Sequence, residues 1–177
     1  ESHGVLLSSA IRDKDAAGGA LILAELAAHE ASAGRSLVDV LNELMVKHGA
    51  VHNSLSSLAM NGATGRARMD AAMASLRSSP PIAIGDRTVV RMEDRQDEMG
   101  TFGEIRSETD RASRNVLVFT LEKGARLIIR PSGTEPRCKI YVETTGDVGG
   151  DLVLLKRRLQ VEGKALAHAF IHLVLDR

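Results

Sequence analysis

The chain of 177 residues lacks the features that mark several classes of protein. It has no Trp, one Tyr and three Phe, whereas proteins that bind single-stranded nucleic acid usually stack bases on aromatic side chains. Its 23 Lys and Arg residues are balanced by 23 Asp and Glu residues, which argues against a generally basic protein that binds nucleic acid. We therefore expect no nucleic-acid partner.

Cysteine and long apolar runs are also scarce. Cys138 has no second cysteine with which to form a disulfide or a zinc cluster. The longest strongly apolar stretch, residues 16–24, is too short to cross a bilayer, and no signal peptide is visible. We expect a cytoplasmic protein without a membrane partner.

What is present is the composition of a folded protein, with 44% hydrophobic and 26% charged residues. The neutrality is an average, because residues 1–49 carry a net charge of −3 and residues 50–177 a net charge of +3. The location of that positive excess in the second part bears on function.

Two helices are predicted in the first part of the chain. The first covers residues 13–33 and stops at Gly34, and the second follows Ser36, a suitable N-cap, and ends at Gly49. Both have an apolar face, but the segment has no strands of its own for them to cover. We interpret residues 1–50 as the C-terminal remnant of an α/β domain.

The second part, residues 51–177, has the pattern of a complete α+β domain. We predict an apparent linker at residues 50–65 that contains a short strand at 55–60, and a hairpin turn at residues 122–124. The other predicted elements are helices at 66–77 and 151–175 and strands at 88–92, 116–121, 126–129 and 139–143. The expected architecture is one mostly antiparallel sheet covered by helices. The helix residues expected in its core are Met69, Ala72, Met73, Leu76, Leu152, Leu155, Leu159, Leu166, Phe170 and Leu173.

The most specific chemical signal lies in residues 130–137, Arg-Pro-Ser-Gly-Thr-Glu-Pro-Arg. Arg130 and Arg137 carry guanidinium groups that can bind phosphate oxygens through paired hydrogen bonds. Ser132 and Thr134 add hydroxyl groups, and Gly133 lets backbone N–H groups approach an anion. This combination predicts a loop that binds phosphate.

An ordinary hairpin loop is the alternative, because Pro, Ser and Gly are common in turns. Charge favours phosphate, since one acidic residue, Glu135, stands against Arg126, Arg130, Arg137 and Lys139. The resulting +3 equals the positive excess of the whole second part. Positive charge gathered at one loop suits one small anion better than a polyanion.

The loop resembles the phosphate-binding loop in the last domain of the α-D-phosphohexomutases, the superfamily of phosphoglucomutase and phosphomannomutase. Two further motifs resemble the same family, in its order and at about its spacing. Glu1-Ser2-His3-Gly4 is similar to its sugar-recognition loop, and Arg12-Asp13-Lys14-Asp15 to a motif that follows it in phosphoglucomutases. The resemblance covers essentially the whole chain and is closest in motif form to phosphoglucomutase.

The resemblance implies a role for each matching residue. The substrate phosphate that does not react would be bound by Arg130, Ser132, Gly133, Thr134, Arg137 and Lys139. Sugar hydroxyls would be contacted by Ser2, with Glu1 and His3 beside it, although the family's main sugar-binding Glu usually lies two positions before the Ser. Lys14 would be a catalytic cation near the reacting end of the sugar.

The resemblance also implies what lies outside this sequence. The family's phosphorylated Ser and its Asp-rich Mg²⁺ loop belong to its first two domains and are not found here. We therefore expect a C-terminal fragment whose partners are the missing N-terminal domains and a phosphosugar. The parent would interconvert hexose 1-phosphate and hexose 6-phosphate through a bisphosphate intermediate, with Mg²⁺ and an activator of the glucose 1,6-bisphosphate type. The fragment alone is expected to be inactive and to hold no metal.

Two pairs of side chains could suggest a metal site within the chain. His168 and His172 are four residues apart on a predicted helix, but no third ligand is evident, so a pair on a helix surface is favoured. Asp13 and Asp15 suit the start of a helix better than a metal.

A function from another class stays open at this point: a stand-alone phosphate-binding regulatory or interaction module without catalysis. A natural gene with about 300 further residues upstream, carrying the serine and Asp-rich loops, would favour the mutase. A natural start near Glu1 would favour the module.

Overall fold

The structure, a computed structural model, describes residues 4–10, 13–132 and 137–176. The chain divides into two compact units, Glu1–Gly49 and Ala50–Arg177. Among the described residues, no helix is both long and apolar enough to cross a membrane.

The first unit contains two helices, α1 (Ala16–Ser32) and α2 (Leu37–His48). α1 begins where the Asp15 carboxylate accepts a hydrogen bond of 3.0 Å from the Ala17 N–H, which satisfies one of the unpaired donors of the first turn. Ser36 begins α2 as the N-cap of a reciprocal capping box with Asp39. Both predicted helices are confirmed, with ends shifted by three residues or fewer.

The helices of the first unit bury almost nothing within it. Gly19 is the only buried residue of α1 and α2, both of which the structure describes in full. Their exposed large apolar residues are Leu21, Ile22, Leu23, Leu26, Leu37, Val38, Leu41, Leu44 and Val46. An amphipathic helix gains most of its stability from packing its apolar face, so these faces lack the surface that would stabilise them.

In the described part of the second unit, the chain forms six strands and three helices. In chain order they are β1 (Ala50–Ala59), α3 (Gly62–Ser78), β2 (Ala83–Ile84), β3 (Arg87–Asp94), α4 (Glu108–Ser113), β4 (Leu117–Leu121), β5 (Ala125–Pro131), β6 (Arg137–Gly146) and α5 (Leu152–Leu175). The strands form one sheet in the order β1-β6-β5-β4-β3-β2. Every pairing is antiparallel, so the predicted α+β domain with an antiparallel sheet is confirmed.

The core lies between one face of the sheet and helices α3 and α5. Alternate residues of β5 and β6 are buried, in the pattern expected of a sheet covered on one face. At the centre, the rings of Phe119 and Phe170 meet edge to face with centroids 5.4 Å apart. The predicted core residues of α3 are all buried, whereas Leu152 and Leu173 of α5 are half-buried.

The linker predicted at residues 50–65 is wrong. That stretch forms the ten-residue strand β1 and the first turn of α3. β1 has many serines and alternates polar with apolar side chains only in part, so its strand pattern is weak in sequence. Pairing with β6 along its whole length, from Ala50 with Gly146 to Ala59 with Arg137, supplies the stability that composition does not show.

The second unit also contains a buried charge that the sequence does not reveal. Arg87 at the start of β3 has a side chain only 7% exposed, and its guanidinium lies 2.7 Å from the Glu162 carboxylate of α5. It also donates a hydrogen bond of 2.9 Å to the Lys123 carbonyl in the β4–β5 turn. A buried charge needs such partners, and here they connect the sheet to α5.

Candidate functional site

The predicted phosphate loop connects β5 to β6. Arg130 lies directly opposite Lys139 across these strands, and Pro131 lies opposite Cys138. The Ser132 N–H donates a hydrogen bond of 2.8 Å to the Arg137 carbonyl and closes the last described pair. The hairpin therefore extends to the base of the loop, so the sheet fixes the backbone positions of the flanking residues.

Pro131 fits this hairpin because hydrogen-bonded and non-hydrogen-bonded pairs of residues alternate along antiparallel strands. Ser132 and Arg137 form a hydrogen-bonded pair, so the next pair, Pro131 with Cys138, is of the non-hydrogen-bonded kind. The missing N–H of Pro131 would point toward β4, which begins at Leu117 opposite Ile129 and does not extend to this level. Proline is tolerated where a strand has no partner for its N–H.

Three cationic side chains share the face of the hairpin that points away from the core. Cys138 and Ile140 are buried, whereas the alternating positions Arg137 and Lys139 are exposed and half-buried. Arg130 is exposed and lies between buried Ile129 and half-buried Pro131 on the other strand. Strand alternation therefore places Arg130, Arg137 and Lys139 on one face beside the loop.

Like charges directly opposite each other on a sheet are destabilising, and Arg130 and Lys139 stand in that arrangement. Among the residues that the structure describes, the Arg130 side chain makes no hydrogen bond or ion pair. A dianion at this face would reduce the repulsion and bind a guanidinium whose donors are available. The geometry favours anion binding over a purely structural turn.

Arg126 does not belong to this group, contrary to the charge count made from the sequence. It lies opposite Glu143 in the same hairpin, and its guanidinium is 3.1 Å from the Glu143 carboxylate. It is also four residues from Arg130, about 13 Å along an extended strand. The positive charge available at the loop is therefore smaller than the sequence count suggested.

Cys138 lies between Arg137 and Lys139 in sequence but faces the opposite side of the sheet. It is fully buried in the core, and that burial raises the pKa of its thiol to about 12. The thiol is therefore neutral and serves as packing beneath the cationic face. Ser132 is half-buried at the base of the loop, while Gly133 and Thr134 lie outside the described residues.

The sugar loop residues Glu1, Ser2 and His3 also lie outside the described residues, but Gly4 is described. A Cβ atom at Gly4 would overlap the side-chain carbons of Lys14, so only glycine permits this approach. The backbone N–H of Asp15 donates a hydrogen bond of 3.0 Å to the Val5 carbonyl in the same region. The first unit thus brings the end of one motif against the Lys14 of the other.

The Lys14 ammonium is exposed and lies 3.4 Å from the Asp13 carboxylate. A hydrogen bond from the Lys14 backbone N–H, and then the Lys14 ammonium, hold the pKa of the Asp13 carboxyl below its usual range. Asp15 caps α1, so it acts at a helix start as predicted. Among the described residues, no three His, Cys, Asp or Glu side chains are placed to hold a metal ion.

The glycine pair of α1, Gly18 and Gly19, permits a close contact with the segment that precedes the helix. A Cβ at Gly18 would overlap Leu7, and one at Gly19 would lie 3.3 Å from the Cβ of Val5. The pair therefore lets the segment that follows the sugar motif lie against α1. Adjacent glycines inside an otherwise helical pattern were the signal available for this contact.

Comparison with known proteins bears on the same regions. Residues 85–150, which include the β5–β6 hairpin, match the model of the phosphoglucomutase/phosphomannomutase C-terminal domain. This chain carries the C-terminal domain of that family. The phosphohexomutase resemblance stated from the motifs is confirmed, and the matched region includes every described phosphate-binding candidate.

Individual relatives of the phosphohexomutase family match most of the chain. A probable phosphomannomutase of Haemophilus influenzae is 32% identical over 136 residues, which are 77% of this chain and 25% of that protein. A phosphoglucomutase of Staphylococcus epidermidis is 30% identical over 151 residues, 83% of this chain and 27% of that protein. A phosphoglucomutase of Staphylococcus aureus is 30% identical over 144 residues, 80% and 26% respectively. The chain thus spans about a quarter of the length of these relatives.

Proposed function

We propose that the chain is the C-terminal part of a phosphohexomutase and that its β5–β6 hairpin binds the substrate phosphate that is not transferred. The observation that carries the proposal is the like-charged pair of Arg130 and Lys139 at the base of the loop, within the region matched by the family model. Arg137 on the same face and the Ser132 hydroxyl would complete the described part of the site.

The chemistry of such an anchor follows from these side chains. A phosphate monoester carries close to two negative charges at neutral pH, and guanidinium groups bind its oxygens through paired hydrogen bonds. Because the hairpin is part of the sheet, the backbone that carries these side chains is held in place before the ligand arrives, which reduces part of the entropy cost of binding. Anchoring a remote group in this way positions the reacting hydroxyl of the sugar.

The remaining roles extend the proposal to the first unit. Ser2, with Glu1 and His3 beside it, would bind the sugar hydroxyls, and Lys14 would place a positive charge near the reacting end of the sugar. The contact between Gly4 and Lys14 supports a joint role for the two motifs. Gly133 and Thr134 of the loop would add backbone and hydroxyl donors to the phosphate.

The rest of the activity would depend on residues outside this sequence. The relatives' greater length supports a parent with N-terminal domains that carry the phosphorylated Ser, so this fragment alone would be inactive. Mg²⁺ would stabilise the charge of the transferring phosphoryl group. The described residues bring no three metal-binding side chains together, so we assign no residue of this chain to that ion. The bisphosphate intermediate, its activator and the cytoplasmic location stay predictions.

Titration with glucose 1-phosphate tests the anchoring role. Arg130→Ala should weaken binding by about 1.5–3 kcal/mol, the usual range for a hydrogen bond to a charged group, or roughly 10- to 150-fold. Arg126→Ala is the matched control, because it removes the same side chain from the same strand but from an ion pair with Glu143. Isothermal calorimetry or NMR titration would measure both affinities.

Equal affinities of Arg130→Ala and the unmodified chain would remove Arg130 from the site. Equal losses in Arg130→Ala and Arg126→Ala would show only a general effect of charge. Binding without a mutase parent, in a protein whose natural start lies near Glu1, would instead favour the stand-alone module.

A further inference from the structure

The two histidines of α5 converge in a way that their sequence spacing alone does not require. His168 and His172 are both exposed, yet the two Nε2 atoms lie 3.1 Å apart. Their ring centroids are 4.4 Å apart, with the ring planes at 62°. The two Nε2 atoms are thus within hydrogen-bond distance of each other, although both side chains are exposed to solvent.

This separation matches the distance between two nitrogen ligands of one metal ion. With metal–nitrogen bonds of about 2.0–2.1 Å, nitrogens 3.1 Å apart would subtend an angle of about 95–100° at the ion. That angle lies between the right angle of octahedral or square-planar sites and the tetrahedral angle. It is compatible with Zn²⁺, Co²⁺, Ni²⁺ and Cu²⁺, all of which imidazole binds well.

The position on α5 also suits an ion. The helix is buried on its opposite side through Phe170 and Val174, so the histidine pair stands on a rigid support. Lys164, one turn before the pair, would repel a cation and Asp176, one turn after it, would attract one, so these two charges offset each other. Among the described residues no third metal-binding side chain joins them, which leaves the other positions to water.

We propose that His168 and His172 form a two-histidine site for a divalent transition-metal ion on the outer face of α5. The site is separate in purpose from the phosphate-binding hairpin and does not depend on the proposed mutase activity. Binding would link two successive turns of α5 close to its C-terminal end. Each histidine contributes one Nε2 lone pair in its neutral form, with the proton on Nδ1.

The test is a calorimetric titration of the chain with Zn²⁺. His168→Gln and His172→Gln should each weaken binding at least tenfold, because either change leaves one ligand and removes the advantage of joining two (about 10²–10⁴-fold). His29→Gln is the matched control, since His29 is also an exposed histidine near a helix C-terminal end. Because these residues are exposed, the variants should fold, and circular dichroism would verify it.

A second measurement locates the ion. Co²⁺ should broaden the NMR signals of amides around residues 165–175 in the unmodified chain and leave them sharp in His168→Gln. The unfolding temperature should rise with Zn²⁺ in the unmodified chain and in His29→Gln, but not in either α5 variant. Absence of saturable Zn²⁺ binding, equal affinity in His168→Gln and the unmodified chain, or Co²⁺ broadening centred elsewhere would each overturn the proposal.

Discussion

The two ends of the β5–β6 hairpin present the same type of residue in opposite settings. Near the β4–β5 turn, Arg126 faces Glu143 and forms an ion pair of 3.1 Å. At the loop end, Arg130 faces Lys139, and its side chain has no hydrogen-bond or ion-pair partner among the described residues. One cross-strand pair joins opposite charges, an arrangement that stabilises a sheet, and the other places like charges opposite each other.

Under the proposed function, the difference separates structural charge from charge kept for a ligand. A purely structural hairpin would gain from an acidic residue at either position 130 or 139, as it does at position 143. The loop end instead combines repulsion, exposure and a fixed backbone. These are the features of a site completed by an anion from outside.

The largest expected effect distinguishes the two faces of β6 at the loop end. With its thiol pKa raised to about 12 by burial, Cys138 should react with a disulfide reagent at pH 8 more than about a thousandfold slower than a free thiol, whose pKa is about 8.5. The absorbance of the released thiol would measure the rate, with the urea-unfolded chain as reference. Fast labelling in the folded state would show that solvent reaches the core-facing side of β6, and not only the side that carries Arg137 and Lys139.

The folded state also holds this thiol proton more tightly than the unfolded state. The stabilising contribution of the protonated Cys138 thiol to the free energy of unfolding is therefore complete below about pH 8.5, the pKa of a thiol in the unfolded chain. This contribution declines as the pH rises toward 12.

Reversing one charge should make the loop end resemble the other end. Arg130→Glu places an acidic residue opposite Lys139 and a negative charge where the phosphate would bind. Affinity for glucose 1-phosphate should fall at least a hundredfold, because one charged contact is lost and a repulsion is added. Calorimetry would measure the affinity. If this variant still binds glucose 1-phosphate as tightly as the unmodified chain, the proposed phosphate-binding role of the loop end is contradicted.

Stability should move in opposite directions in two charge-reversal variants. Arg130→Glu should raise the free energy of unfolding by about 0.4–2 kcal/mol, because a like-charged cross-strand pair becomes an ion pair. Glu143→Arg should lower it by a similar amount, because the ion pair with Arg126 becomes a repulsion. Urea titrations would measure both, and a loss of stability in Arg130→Glu would contradict the assigned strain.

Salt should have the smallest effect and should act differently on the two ends. Raising the ionic strength should weaken glucose 1-phosphate binding several-fold, because the anion is attracted by exposed cations. The stability difference between Glu143→Arg and the unmodified chain should shrink under the same conditions. Binding that is insensitive to salt would point to a site that does not use the exposed cations.

Much of the fold could be predicted because the relevant signals are local. Asp15 and Ser36 cap their helices through residues two or three positions away, and the hairpin at residues 122–124 needs only the positive φ of Lys123 and Gly124. β1 was underestimated, because its stability comes from pairing with β6, 78 to 96 residues away in the chain. Such pairing leaves little trace in a serine-rich strand.

Prediction of the candidate site from the sequence was limited in the same way, because it too depends on contacts between distant residues. Residue types predicted the loop, but the partner of Arg126 depends on the register of β5 with β6, which sequence spacing cannot supply. The burial of Arg87 was missed for the same reason, since its partner Glu162 lies 75 positions away in the chain. The residues 1–3 and 133–136, on which several assigned roles fall, lie outside the described residues, and those roles stay predictions.

The most direct test of the account is an NMR map of where glucose 1-phosphate binds on the 177-residue chain. Amide signals should shift at the loop end of the hairpin, at Arg130, Ser132 and residues 137–139. Signals near Arg126 and Glu143, at the other end of the same strands, should stay in place. Shifts that are equal at both ends, or that cluster away from the hairpin, would contradict the central claim that the loop end is kept for phosphate.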